Sequence, residues 1–229
     1  MTDMKVELRD EYSTPNPDEL AAMSARGDYM SDSLVGTGYD EAMGDRDLQE
    51  FLNEKAYSGH FGVFEHPQAS FFIEGLSRSA MAQVTRHRHM SFDVQSQRYV
   101  DFGDKNPVIP PSFVDEPSNT YFGKGKEATW EQLLEIHWRN SLDHYKEAVE
   151  QGIPKEDARF FLPLAAPVNM TLSANPRALF HFLDLRDNGK AQWEAQQFAK
   201  KIGDVASDWA PKSFQAYDEK TNNNSLRAP

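Results

Sequence analysis

Arg86-His87-Arg88-His89-Met90-Ser91-Phe92-Asp93-Val94-Gln95-Ser96-Gln97-Arg98-Tyr99 gathers three arginines, two histidines and two serines into fourteen residues that hold one acid, Asp93. Guanidinium groups are always charged and present a fixed fork of donors, so arginines at this density suit phosphate or planar carbonyl edges. The surrounding chain has the opposite sign, with 24 Lys and Arg against 36 Asp and Glu and a formal net charge of -12. Positive charge held against that average implies an anionic ligand. The same acidity repels extended polyanions, which weighs against nucleic acid as a partner. The physical alternative for the basic run is a solvated helix end, where the dipole favours cations by about 0.3–1 kcal/mol.

At 229 residues the chain is long enough to bury a core without a disulfide or structural metal. It contains no cysteine, which excludes thiolate nucleophiles, disulfides and cysteine-held metals. Methylation of uracil through a cysteine adduct is thereby excluded as well. There is no apolar run of about 18 residues, and Met1 to Glu11 has no apolar segment of signal type. These features predict a cytoplasmic enzyme with no membrane partner.

Working outward, Lys5 to Arg9 reads as a strand, and Asn16-Pro17-Asp18-Glu19 as a helix start with Asn16 as cap. The Gly-, Asp- and Ser-rich residues 27–47 read as a loop or lid. Leu48, Phe51 and Leu52 lie on one helical face, and Gly59 stops that helix. Ala69 to Glu74 reads as a strand, and Ser77 caps a helix that carries Gln83 and runs to about His87. The prolines and glycines between Asp101 and Lys126 predict an irregular connection. Trp130, Leu133, Leu134, Trp138, Leu142, Tyr145 and Val149 mark a long amphipathic helix stopped by Gly152. Ala166 to Ser173 reads as a strand, Asn175-Pro176 opens a helix to about Arg186, and a last helix from Lys190 to Trp209 ends at Pro211. The pattern predicts a single α/β domain over residues 1–217, a central sheet flanked by long helices, and a loose tail over 218–229.

Three further segments carry chemistry. His60-Phe61-Gly62-Val63-Phe64-Glu65-His66 places two histidines and an acid together, yet H-E-x-x-H is absent and no ligand triad emerges, so no metal is expected. Asp157-Ala158-Arg159-Phe160-Phe161-Leu162-Pro163-Leu164 sets one arginine beside an apolar run. Asn175-Pro176-Arg177-Ala178-Leu179-Phe180-His181-Phe182-Leu183-Asp184-Leu185-Arg186 carries two arginines and a histidine on one helix. Ser96 lacks a G-x-S-x-G elbow and a base partner, so it reads as a hydrogen-bonding group, not a nucleophile. Gly123-Lys124-Gly125-Lys126 is not a phosphate loop, and no G-x-G-x-x-G occurs.

Taken together, R-H-R followed after seven residues by Ser96, the His60 to His66 segment, the Arg159 segment, and Asn175 to Arg186 followed by Gln192-Trp193-Glu194 resemble the flavin-dependent thymidylate synthases. The likeness runs from about His60 to Trp209. It implies that family's fold and the reductive methylation of dUMP to dTMP. 5,10-Methylenetetrahydrofolate would give the carbon, and FAD reduced by NADPH the hydride. The resemblance assigns Gly62, Arg86, His87, Arg88, Val94, Asn175, Pro176, Arg177 and His181 to FAD. It assigns Gln83, Val94, Gln95, Ser96, Gln97, Arg98, Arg159 and Arg186 to dUMP, with Arg186 activating uracil and His60 positioning water or folate. Gly62 stands where many members carry a hydroxyl residue, and Val94 where many carry glutamate, so contacts there come from backbone. Arg186 lies nine residues, about 180°, from Arg177 on a regular helix, which argues that one chain cannot aim both at one pocket. Sites shared between subunits of a homotetramer, as the resemblance implies, resolve this. The rival readings are a nucleotide- or RNA-binding module built on the basic run, and a folate- and FAD-dependent methyltransferase acting on uracil in RNA.

Overall fold

The computed structural model describes residues 4–100, 102, 105–122 and 126–222. The fold is mixed α/β. In chain order its elements are β1 (Lys5–Leu8), α1 (Pro17–Gly27), α2 (Tyr39–Met43), α3 (Leu48–Ser58), β2 (Ala69–Ser77), α4 (Arg78–Val84) and β3 (Ser91–Val94). There follow β4 (Pro117–Phe122), β5 (Lys126–Thr129), α5 (Trp130–Glu150), α6 (Lys155–Ala158), β6 (Pro167–Ala174), α7 (Pro176–Arg186), α8 (Trp193–Trp209) and α9 (Pro211–Asn222). One sheet has the strand order β1-β2-β6-β3, and β4 pairs with β5 alone. The chain forms two compact units: Met1–Lys5, Ile73–Val84 and Asp93–Met170 in the first, Val6–Phe72, Thr85–Phe92 and Thr171–Pro229 in the second.

In the first unit, α5 starts at a capping box. The Thr129 hydroxyl accepts the Gln132 N–H while the Gln132 side chain accepts the Thr129 N–H, so two orphan donors are satisfied reciprocally. The helix packs through Trp138 and Leu142 against Leu162 and Ala166, and the Trp138 indole donates to the Lys105 carbonyl at 2.7 Å. Where the sequence reads as an irregular connection, β4 and β5 pair antiparallel instead, with Tyr121 opposite Glu127 and Phe122 opposite Lys126. The register shifts between Pro117 and Tyr121, as expected where a proline breaks the ladder. The Gly123 to Gly125 part of the rejected phosphate loop, and Asp101, Gly103 and Asp104 of the connection, lie outside the described residues.

The second unit is built around aromatic rings. Phe180 of α7 stacks on Tyr217 at 4.6 Å and meets Phe64 and Phe214 edge-on at 5.5 and 5.1 Å. Each buried ring of this size contributes roughly 1.5–3 kcal/mol. Asn175 caps α7 by accepting the Ala178 N–H at 2.9 Å, with buried Pro176 in the first helical position. Gly59 closes α3 with φ +81, a left-handed conformation glycine adopts without steric cost.

Five local expectations are corrected here. Asn16 makes no side-chain cap on α1; its neighbour Asp18 is turned instead onto the start of α9, accepting the N–H groups of Lys212 and Ser213 at 2.9 Å. α8 does end at Trp209 as expected, but it is not the last helix, because Pro211 opens α9. That helix covers 218–222 of the expected loose tail and buries Lys220, whose Nζ donates to the Ala56 carbonyl at 2.7 Å; 223–229 lie outside the described residues. Within the expected loop 27–47, α2 forms and buries Ala42 and Met43. Finally, α4 stops at Val84, so the basic run begins in a loop and not on a helix.

Candidate active site

The loop that follows α4 alternates in direction: Arg86, Arg88 and His89 are exposed, while His87 between them is buried. In the same unit, α7 carries Arg177, His181 and Leu185 at four-residue spacing, which places them in line on one helical face. Loop and helix face bound a cavity of about 820 Å³, whose lining includes Arg86, His87, Arg88, Arg177, His181 and Arg186. Asn175, Glu65, His89 and Leu185 complete much of its wall. That volume lies within the range of cofactor and ligand sites.

Arg186 corrects the count of turns made from the sequence. It lines the same cavity as Arg177, because a long side chain at the last position of α7 reaches around the helix end to the loop. Its Nε donates to Nε2 of His87 at 3.1 Å. The His87 ring meets Phe182 edge-on at 4.8 Å and His181 at 5.9 Å. Burial, then the Arg186 charge, then His181 push its pKa down to about 4, so the ring is neutral near pH 7. The one acid on the wall among the described residues, Glu65, pairs with Arg177 at 2.5 Å. Cations in excess over acid, in a roomy cleft with ring faces and a capped helix start, fit a planar-ringed dianionic cofactor such as FAD.

The first unit holds a second cationic cluster. Arg98 reaches Glu156 through Nε at 2.7 Å and Nη2 at 2.6 Å, and Arg159 donates from Nε to the Glu156 carbonyl at 3.0 Å. The Ser96 hydroxyl accepts the Arg98 N–H at 3.2 Å, and Gln95 is held by Lys105, whose Nζ donates to Oε1 at 2.7 Å. Gln97 is buried, Gln83 half-buried on α4, and Val94 half-buried at the end of β3. Arg78 was missed from sequence. Its Nη2 donates to the Gln95 carbonyl at 3.3 Å, while its Nε is buried with no partner among the described residues. Burial, and then the like charge of Arg159, lower its pKa. A signal was present: arginine in the first position of a helix opposes the dipole, so it stands there for an anion.

Seven sequence-derived residues thus line one cavity: Arg86, His87, Arg88, Asn175, Arg177, His181 and Arg186. Gly62 and His60 are exposed and outside its lining, the His60 ring lying 6.4 Å from Tyr29; Val94 and Pro176 are outside it too. A smaller cavity of about 480 Å³ beside α3 is lined partly by Tyr29, Asp45, Arg46 and Lys55, which gives the 27–47 segment a wall to form. Among the described residues no group of three or more His, Asp or Glu is placed to hold a metal ion, and no helix is long and apolar enough to cross a membrane.

Comparison with known proteins gives three findings. The family model described as "Thymidylate synthase complementing protein" matches residues 11–212. Flavin-dependent thymidylate synthases of Halobacterium salinarum and Haloarcula marismortui are 42% and 39% identical; the first match covers 94% of this chain and 95% of the relative, the second 90% and 93%. In structure the chain resembles a UMP/dUMP methylase, PolB from Streptomyces cacaoi bound with 5-Br dUMP, with TM-score 0.75 and 22% identity over 95% of this chain and 96% of that one.

Proposed function

Since the chain belongs to the flavin-dependent thymidylate synthase family, we propose how its own residues carry that family's reaction. It is an enzyme that methylates dUMP reductively to dTMP, with 5,10-methylenetetrahydrofolate as carbon donor and FAD and NADPH as redox partners. The observation that carries the residue assignment is the cavity shared by Arg86, Arg88, Arg177, His181 and Arg186. Bound FAD, once reduced by NADPH, supplies the hydride; the protein supplies orientation and charge.

In this reading Arg86, Arg88 and Arg177 hold the flavin cofactor in the second unit, with Asn175 at the capped start of α7. Arg177 exchanges Glu65 for the ligand, a small cost because the pair is partly exposed. dUMP is held by the first-unit set of Gln83, Gln95, Ser96, Gln97, Arg98 and Arg159, to which Arg78 is added. Two arginines with like charge, one of them with a buried unpartnered N–H, make a receptor for phosphate. Arg186 stabilises uracil deprotonated at N3, making C5 electron-rich without a protein nucleophile. A charge-assisted hydrogen bond of about 1.5–3 kcal/mol raises the reactive anion roughly ten- to hundredfold. His60, outside the cavity lining, is assigned to ordering water or folate, and Gly62 and Val94 act through backbone.

We place the enzyme in the cytoplasm as a homotetramer whose residues 1–217 act as one catalytic domain. Exposed Phe160, Phe161 and Leu164 support self-association, since a monomer gains nothing by presenting three large apolar side chains so close in sequence. The test is a spectrum of the purified protein, then addition of NADPH and methylenetetrahydrofolate with dUMP or with uracil-containing RNA. A flavin spectrum and dTMP formation from free dUMP are expected; methylation of RNA alone, or protein that binds RNA and no flavin, would replace this reading.

A further inference from the structure

Building on that reading, we propose that His87 is the positioning residue for Arg186: its neutral ring, protonated on Nδ1, accepts the Arg186 Nε–H at Nε2 and fixes the plane in which the guanidinium meets uracil. The resemblance made His87 a flavin contact; the geometry gives it a different task.

Arginine carries only donors, so a 3.1 Å contact between its Nε and Nε2 of His87 requires a lone pair on that nitrogen. An imidazolium has none, and the Nε2–H tautomer has none there either. The ring is held from two directions by Phe182 and His181, and only 9% of the residue is exposed, so it cannot turn to offer its other nitrogen without leaving its packing. It is the one inward-facing member of Arg86-His87-Arg88-His89. The charges facing it are Arg186 from α7 and Arg86 and Arg88 along its own loop, with the titratable rings of His181 and His89 nearby and Glu65 engaged by Arg177. That field and the burial keep the ring unprotonated and the acceptor available at neutral pH.

The consequence follows from the shape of guanidinium. It offers two forks, one side-on through Nε and one end-on through both Nη atoms. The bond at Nε sets the plane of the guanidinium, and two parallel bonds to a planar acceptor demand that the plane be set beforehand. A misplaced plane loses the orientation on which the activating bond depends.

A double-mutant cycle on the holoenzyme tests this. His87→Leu should lower kcat for dTMP formation roughly ten- to hundredfold, with FAD Kd, read by fluorescence titration, unchanged within about threefold. His87→Gln, whose amide oxygen replaces the acceptor, should restore the rate to within about threefold of the wild type. In an Arg186→Ala background, His87→Leu should cost nothing further. Multiplying effects in that background, or a parallel loss of FAD affinity in the single variant, would make His87 an independent flavin ligand and end the proposal. A second measurement needs no turnover: histidine 15N NMR of the wild type should show the Nδ1–H tautomer with no titration between about pH 5 and 8, and an Nε2–H tautomer overturns the geometry. Wild-type protein that leaves dUMP unchanged would instead sink the functional reading, while the NMR result still decides the contact.

Discussion

The cavity of the second unit and the arginine cluster of the first are both cationic, and they keep their cations ready in different ways. In the cluster, Arg98 already pairs with the exposed Glu156 carboxylate while Arg159 donates to the Glu156 carbonyl, and a phosphate displaces the carboxylate at little cost, because surface ion pairs contribute only about 0–1 kcal/mol. In the cavity, the Nε of Arg186 is held by a neutral ring nitrogen, a bond that fixes direction. The first arrangement suits a ligand that is caught and released each turnover. The second suits a bond whose angle matters more than its capture.

Variants can break that contrast. Arg186→Ala should reduce dTMP formation roughly a hundred- to thousandfold, as loss of a charge-stabilising donor does elsewhere, while the flavin spectrum of the purified protein persists; unchanged turnover would remove Arg186 from the mechanism. Acid should expose the neutral histidine. The unfolded chain takes a proton on His87 below about pH 6.5 and the folded chain only near 4, so stability falls as pH falls through that window, by up to about 3 kcal/mol. Urea unfolding at pH 7 and pH 4.5 should show a smaller loss in His87→Leu than in the wild type, and equal losses would refute the depressed pKa.

Paired variants sharpen the division between the units. Arg88→Ala should weaken FAD binding about tenfold and leave dUMP affinity alone, whereas Arg159→Ala should do the reverse. Titrating each ligand against each variant gives four numbers, and a variant that weakens both ligands equally would erase the distinction. The smallest effect is expected of Glu156→Gln, which frees Arg98 and should tighten dUMP binding two- to threefold, about 0.5 kcal/mol; weaker binding would show that Glu156 orients the arginines and does not compete with the phosphate.

Much of this was readable from local sequence where the signals are themselves local. The stop of α3 and the cap of α7 sit within four residues of the turns they control, so Gly59 and Asn175 announce themselves. α9 did not, because its cap is the carboxylate of Asp18, 194 residues before the Lys212 N–H that it accepts. Pro211 alone is ambiguous, able to end one helix or begin the next. The basic run identified an anion site, but alternation within it, with one histidine turned inward, depends on Phe182 and Arg186 from a distant helix. Counting 100° per residue placed Arg186 on the wrong side because it follows Cα directions and not the reach of a long side chain at a helix end. Arg78 was overlooked because a single arginine after a serine cap looks like surface.

Asp18 and Lys220 also set a schedule for the chain's maturation. The second unit takes its parts from residues 6–72, 85–92 and 171 onward, and α9 is fastened to α1 by Asp18 and to the end of α3 by Lys220. During synthesis the faces of α1 and α3 that meet α9 stay uncovered until more than 200 residues have been made. The flavin pocket is therefore a late product of translation, and nascent chains stalled before Pro211 are the species a chaperone would meet.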